Sequence, residues 1–475
     1  MKLRPYQEEI LSKIRLSMAA GNKRIVMQLA TGGGKTAMFS AISKMAVDKG
    51  NSVLIITHRK ELLSQSGGTL SRFELKASEL TAKTKKIEQG ILYVGMVETI
   101  KARISKPGYD AFVKSFKIII IDECHLQNFN RIFESINSDQ YVIGATATPY
   151  RDGKMKELKE YYDDIIQGIQ ISELIEAKYL SPAISYGFEV DLSNVRITAG
   201  EFNEKDLQEV YDENSIYVGA ISNYIEHANG TKFLAFCPTV KNSESLCSQF
   251  NEAGISARHL DAATPANERA AILQAYNRNE FKGLCNVGIL TTGFDQPDVE
   301  TIILYRATKS LPLFLQMCGR GSRIAPGKEK FNILDFGNNI GRHGFWQADR
   351  NWTLSNPETK KRKEKKGEYP IKICEDCGAM VPASTRICPH CGFEFPAPEE
   401  KKSIKIASLK LLTPTQINRL AELATVQELE EIRIAKEYKV GWVLYKLKTF
   451  NQFKEYEKLK NYKRGWAEYQ WRSRH

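Results

Sequence analysis

Between the apolar run Ile25-Val26-Met27 and a stretch of helical character stands Leu29-Ala30-Thr31-Gly32-Gly33-Gly34-Lys35-Thr36. A strand, a glycine-rich turn and a helix in that order place backbone N–H groups where they can close around a phosphate, because only glycine lets the main chain approach so closely. In that geometry Thr31, Gly32, Gly33 and Gly34 form the cradle, Lys35 reaches the β- and γ-phosphates of a nucleotide, and the Thr36 hydroxyl ligates magnesium. Leu29 stands where the strict pattern has its first glycine, and the segment on its own also fits a plain structural turn.

A second cluster narrows the choice. Asp122-Glu123-Cys124-His125 follows Ile118-Ile119-Ile120-Ile121 directly. Carboxylates at the end of a buried strand beside a phosphate loop can divide two tasks, Asp122 holding magnesium and Glu123 orienting and deprotonating the attacking water. The competing reading is an acidic turn that only keeps the strand end hydrated.

The 475 residues are too many for one ordinary domain and suggest two or three. At 42% hydrophobic and 26% charged, the chain has apolar material for more than one core. Its net charge of +12 favours a polyanionic partner, since each neutralised phosphate releases counterions. Met1 to Ile10 has no apolar core of signal-peptide length, and runs such as Val53 to Ile56 are too short to span a bilayer, so a cytoplasmic protein with no membrane partner is expected. Of nine cysteines, Cys124, Cys237, Cys247, Cys285 and Cys318 are scattered and read as ordinary thiols.

Short β-branched strands alternate with helical stretches up to about residue 165, which predicts an α/β domain over 1–165 with a parallel sheet covered on both faces. The pattern weakens over 166–215, read as a connector, and resumes over 216–350 as a second α/β domain. Residues 351–369 hold the charged run Asn356 to Glu368 and read as a linker. A cysteine module over 370–396 and a basic, mainly helical tail over 401–475 follow, with a helix start expected at Thr413-Pro414.

Taken together, the motifs resemble those of the superfamily 2 helicases, in the same order from Leu3 to about Asp335. Leu3-Arg4-Pro5-Tyr6-Gln7 is similar to the adenine-recognising element, Asp122-Glu123-Cys124-His125 to the DExH box, and Thr146-Ala147-Thr148-Pro149 to the motif that couples hydrolysis to movement. Phe236-Cys237-Pro238-Thr239, Thr291-Thr292-Gly293-Phe294-Asp295 and Gln316-Met317-Cys318-Gly319-Arg320-Gly321-Ser322-Arg323 resemble the later motifs. The resemblance implies two tandem RecA-like domains with ATP between them. It assigns Arg4 and Gln7 to the adenine side, Gln316, Arg320 and Arg323 to the nucleotide, with both arginines on the γ-phosphate, and Thr292 and Asp295 to domain coupling. Thr57-His58-Arg59-Lys60-Glu61-Leu62 and Gly95 to Ile100 resemble strand-contacting elements, although His58 and Arg59 equally suit helix capping. Within the superfamily, Leu3 to Gln7, the Asp122 to His125 box, His259-Leu260-Asp261 with Thr264-Pro265, Leu290 to Asp295 and a cysteine-rich module after the motor resemble the RadD-type bacterial and phage DNA-repair ATPases, which implies DNA rather than RNA, action in a bacterial or phage-infected cell, and repair, recombination or replication. An RNA helicase, a recruitment module regulated by ATP, and a restriction-type translocase needing other subunits are the other readings.

Cys374-Glu375-Asp376-Cys377-Gly378 and Cys388-Pro389-His390-Cys391-Gly392 form a paired CxxC pattern that can close a tetrahedral zinc site, making a zinc ribbon. Such a ribbon can contact DNA, bind a repair or replication protein, or only stabilise a small domain. Residues 401–475 contain seventeen Lys and Arg against eight Asp and Glu. Trp442, Tyr445, Trp466, Tyr469 and Trp471 interleave with those cations, which suits either base stacking or the core of a small helical bundle.

Overall fold

The computed structural model of the chain describes residues 2–57, 69–82, 84, 90–106, 108–151, 157–187, 192, 194–198, 201–213, 216–290, 294, 296–355, 369–396, 417, 421 and 424–474, leaving aside the side chains of 127, 128 and 211–218. His58 to Leu62, Thr291 to Gly293, Asp295, the charged run 356–368 and the expected helix start at Thr413-Pro414 lie outside the described residues.

Seven strands form the first sheet: β1 (Arg24–Gln28), β2 (Val53–Thr57), β3 (Ser78–Leu80), β4 (Leu92–Met96), β5 (Ile118–Asp122), β6 (Tyr141–Thr146) and β7 (Asp164–Gln167). Their order is β3-β4-β2-β5-β6-β1-β7 and every pairing is parallel. Runs such as Val53 to Ile56 and Ile119 to Ile121 are almost fully buried, as β-branched residues are when helices cover both faces. Because β5, β6 and β1 are neighbours in register, Asp122 lies beside Ala145 and Gln28 beside Thr146. The three segments that follow these strands therefore leave the sheet at one edge, where parallel sheets bind their ligands.

The second sheet contains β8 (Ala183–Gly187), β11 (Phe233–Phe236), β12 (Ala257–Leu260), β13 (Gly283–Asn286), β14 (Thr301–Leu304) and β15 (Phe331–Asp335), in the order β12-β13-β11-β14-β15-β8 and again all parallel. A small hairpin of β9 (Ile197–Thr198) and β10 (Glu201–Phe202) lies between β8 and β11 in sequence. Two parallel-sheet α/β domains in series are thus present, with one correction. The segment 166–215 is not a plain connector, since β8 is the edge strand of the second sheet. Ala183-Ile184-Ser185-Tyr186-Gly187 carries too short and too polar a run to announce a buried strand, and packing supplies what the sequence lacks. A side chain at Gly187 would collide with Met380. Met380 belongs to the antiparallel hairpin β16 (Ile371–Ile373) and β17 (Met380–Pro382) of the cysteine module.

Past the second sheet, residues 345–354 run back along the edge of the first. The backbone N–H of Trp352 donates to Gln167 Oε1 at 3.1 Å, Gln170 Nε2 donates to the Arg350 carbonyl at 3.1 Å, and the Lys159 N–H donates to the Leu354 carbonyl at 3.2 Å. The strap is stiffened from within, because the Arg350 guanidinium donates to the carbonyls of His343, Phe345, Trp346 and Ala348.

Contact density divides the chain into two compact units, Met1–Thr385 with Pro389–Cys391, and Arg386–Cys388 with Gly392–His475. In the second unit the helices Val426–Ala435, Val440–Lys446, Phe450–Leu459 and Trp466–Arg472 enclose Leu429, Val443, Phe453, Tyr456 and Ala467. Thr425 with Glu428 and Thr449 with Gln452 form capping boxes at two of the helix starts.

His343 gives the second domain a pH dependence. Its Nε2 lies 2.9 Å from the Thr308 carbonyl and its ring packs on Phe314. Burial pushes its pKa down to about 4. A folded-state pKa below the unfolded value of about 6.5 means that the unfolded chain takes up this proton first, so the contribution is intact above pH 6.5 and is lost as pH falls towards 4. The full loss is about 3 kcal/mol. Unfolding midpoints measured between pH 7.5 and pH 4.5 are expected to fall less steeply for His343→Gln than for the parent, and equal slopes would contradict this account.

Candidate nucleotide site and cysteine centre

The phosphate loop is shaped by backbone that other residues resist. Gly32 and Gly34 adopt φ of +84° and +87°, and a Cβ at Gly34 would lie 2.4 Å from Gln7 Nε2. The loop is tied to the first helix, Pro5–Ala19. The Tyr6 hydroxyl donates to the Gly33 carbonyl at 2.8 Å, Gln7 Nε2 donates to the same oxygen at 3.2 Å, and the Arg4 N–H donates to Gln7 Oε1 at 2.9 Å. The Arg4 guanidinium in turn lies 4.2 Å from the centre of the Tyr179 ring. Tyr179 is an aromatic surface beside Arg4 and Tyr6 that the sequence did not point to, since it comes from the segment expected to be a connector.

At the loop's exit, Lys35 and Thr36 open the helix Lys35–Val47. Lys35 Nζ meets Glu123 Oε1 at 2.6 Å, with side-chain exposures of 16% and 4%. In that dry setting the two charges hold each other until an anion competes for the lysine. Glu123 sits at φ +48°, a left-handed conformation that costs a glutamate on the order of 1 kcal/mol and turns its carboxylate out of the line of β5. Asp122 points elsewhere and accepts a 3.3 Å hydrogen bond from the Thr57 hydroxyl. Burial pushes the Cys124 thiol up to about 12, which rules it out as a nucleophile.

Thr146 links the box to the segment after β6. Its hydroxyl lies 3.4 Å from Glu123 Oε2 and 2.8 Å from His125 Nδ1, and it accepts from the Thr148 N–H at 3.0 Å. For Thr146 to donate to Glu123, His125 must carry its proton on Nδ1. A fully buried arginine beyond Pro149 makes a second link. Arg151 donates through Nη2 to the carbonyls of Cys124 and Leu126 at 3.0 and 3.4 Å, and through Nη1 to Asn130 Oδ1 at 3.0 Å. It fixes the chain immediately after Glu123, and its position next to Thr146-Ala147-Thr148-Pro149-Tyr150 was the only sequence signal. A lysine's single ammonium cannot reproduce the planar fork by which two separate nitrogens reach these acceptors, so Arg151→Lys is expected to lower kcat about tenfold or more while leaving KM for ATP nearly unchanged. A parallel rise in KM would assign Arg151 to nucleotide binding instead.

The second domain meets this loop through the turn after the helix Leu311–Cys318. A Cβ at Gly319 would lie 2.8 Å from Thr31 Cγ2, so the segment that carries Arg320 and Arg323 touches the phosphate loop directly. Gln316 is buried in the same helix. Arg320 Nη1 and Arg323 Nη1 both donate to the Phe294 carbonyl, at 2.6 and 3.3 Å. Glu201, on β10, holds the helix start by accepting from the Thr308 hydroxyl and the N–H groups of Lys309 and Ser310.

Comparison with known proteins agrees with this geometry. Residues 1–151 match the family described as type III restriction enzyme, res subunit, and residues 217–325 match the helicase conserved C-terminal domain. A 51.5 kDa protein of a Lactococcus phage (isolate 7-9) is 32% identical over 425 residues, covering 88% of this chain and 87% of its own length. The chain belongs to the superfamily 2 helicases. These are ATP-hydrolysing enzymes, and the two parallel-sheet domains are their tandem RecA-like pair. A Saccharomyces cerevisiae protein named as ATP-dependent helicase IRC3 is 33% identical over 357 residues, 70% of this chain, and the chain spans about half of that protein's length (51%). A structure described as a fragment of an HsdR subunit of a type I restriction enzyme from Vibrio vulnificus shares the fold at a TM-score of 0.56 and 20% identity, over 72% of this chain and 67% of that one.

In this helicase the four cysteines of the module come together. The Sγ atoms of Cys374, Cys377, Cys388 and Cys391 all lie within 4.8 Å of one another, and none is in a disulfide. The Cys374 N–H donates to the Ala379 carbonyl and the Cys388 N–H to the Phe393 carbonyl, closing the two knuckles. Gly378 and Gly392 take φ of +71° and +81°, as such turns require. Four converging thiols fit a tetrahedral thiophilic cation. Among the described residues, no helix is long and apolar enough to cross a membrane.

Proposed function

We propose that this helicase moves along or remodels DNA by cycles of ATP binding and hydrolysis in the cleft between its RecA-like domains, in DNA repair, recombination or replication. The observation that carries the reading is that the loop leading into the Lys35–Glu123 pair of the first domain is touched at Thr31 by Gly319, in the arginine-bearing turn of the second.

ATP enters with its adenine at Arg4 and Gln7 and its phosphates on Thr31 to Thr36. Lys35 exchanges Glu123 for the β- and γ-phosphates, which frees the Glu123 carboxylate to take a proton from the attacking water. Magnesium, held by Thr36 and Asp122, supplies charge neutralisation at the phosphate oxygens. Arg320 and Arg323 leave the Phe294 carbonyl for the γ-phosphate, and Gln316 lines the same wall. Two arginines supplied from the far side of a cleft act only when it is closed, so hydrolysis and domain opening become one event.

The net charge of +12 favours a nucleic acid of either kind, and DNA is favoured over RNA by the restriction-enzyme character of the family that residues 1–151 match and by the likeness to RadD-type repair ATPases. The cysteine centre binds zinc, and protein partners of repair or replication dock through the ribbon or the tail. The place of action is the cytoplasm of a bacterial or phage-infected cell. The test is the ATPase rate alone and with single-stranded, branched and duplex DNA and with RNA, using Glu123→Gln as the blank. Stimulation by DNA that vanishes in the variant is the expected result; stimulation by RNA alone, or none at all, would overturn the DNA motor.

A further inference from the structure

The helical tail divides its aromatics into two sets. Trp442, Trp466 and Trp471 pack against the core, with Trp471 5.7 Å from Phe453 and Trp466 6.0 Å from Tyr456. Tyr445 and Tyr469 stay outside, 80% and 72% exposed. Charge is divided along the same line. Segments 439–448 and 463–474, which carry the two tyrosines, hold seven Lys and Arg against the single acid Glu468, whose carboxylate is taken by Arg472 at 2.6 Å. The other six acidic residues of 424–474 lie within 426–438 and 450–459, where Glu430 is enclosed by Arg433, Lys460 and the Tyr456 hydroxyl.

The two basic segments are brought together. Arg474 Nη1 donates to the Leu444 carbonyl at 2.5 Å, which sets the end of the last helix beside the residue preceding Tyr445. Lys446 Nζ lies 5.9 Å from the ring centres of both Trp442 and Tyr445. Exposed rings set among cations present π-faces and positive charge to one ligand. A protein partner of ordinary composition would prefer a surface poor in lysine, whereas an unpaired nucleic-acid strand offers bases to stack and phosphates to pair at this density.

We infer that this side of the tail is a binding surface for single-stranded nucleic acid, with Tyr445 and Tyr469 stacking on bases and Lys446, Lys448, Arg464 and Arg474 facing phosphates. It rests on the reading that the enzyme works on nucleic acid, and adds a contact that needs no nucleotide and lies outside the RecA-like pair.

The test uses the full chain without ATP and follows the anisotropy of labelled oligothymidylate and oligouridylate. The double variant Tyr445→Ala/Tyr469→Ala is expected to bind about tenfold or more weakly, with the double phenylalanine variant restoring affinity because it keeps the rings. ATPase activity without nucleic acid is expected to be unchanged in both. Equal weakening on the two oligomers fits stacking without sugar recognition; weakening on one names the strand. Affinity unaltered by the alanines, or lost equally with phenylalanine, overturns the inference. An ATPase indifferent to every nucleic acid would remove the motor reading while a difference between the alanine and phenylalanine variants left the tail surface standing.

Discussion

Glu123→Gln is expected to lower the ATP turnover rate by about 10²- to 10⁴-fold, the range that a positioned general base contributes. The amide has nearly the same shape but cannot accept the proton from water. It also breaks the 2.6 Å pair with Lys35, leaving that ammonium without its buried counter-charge. A nucleotide's phosphates can then take its place with no carboxylate to displace, so ATP affinity is expected to hold or rise while kcat collapses. Single-turnover hydrolysis together with binding of a fluorescent ATP analogue separates the two quantities. A variant that hydrolyses at more than about a tenth of the parent rate would remove Glu123 from the role of base.

Stripping the metal from the proposed zinc centre is expected to have the largest effect on local structure. Binding to four thiolates in small zinc modules is worth about 10 kcal/mol or more near neutral pH, and in such modules it is also most of the folding free energy. The hairpin β16–β17 has a single pairing between strands of three residues each, too little to persist without its cross-link. Cys388→Ser, or a strong chelator, is therefore expected to release zinc and open residues 370–396 to protease. Because Met380 covers Gly187, the edge of the second sheet should gain amide exchange at β8 as well. Purified protein without zinc, or a digestion pattern unmoved by chelation, would defeat the assignment.

The parts of the site visible in the sequence are those whose chemistry needs contiguous residues. A phosphate loop must be a strand, glycines and a helix in immediate succession, and a strand that runs into two carboxylates leaves its mark in the six residues Ile118 to Glu123. The two-sheet architecture followed from buried strands that are apolar on both faces. Tyr179 and Arg151 were hidden for the opposite reason, since their partners Arg4 and Cys124 lie far away in sequence. The edge strand β8 was hidden because Ser185 is buried without being apolar and Gly187 packs against Met380, far away in sequence. In the tail, composition could not say which aromatics face inward; helix packing decided it by placing Trp471 against Phe453 and leaving Tyr469 outside.

The strap over 345–354 bears on the path that the moving parts can take. The polypeptide leaves the first sheet after β7 and enters the second at β8, returns along the first at Trp352, and rejoins the second where the Tyr369 N–H donates to the Gly341 carbonyl at 2.7 Å. Two bodies linked by a single thread can twist and slide in any direction. Stitched at separate points, they keep little freedom beyond swinging about the line through the stitches. In the proposed cycle, each closing and opening would then retrace one arc.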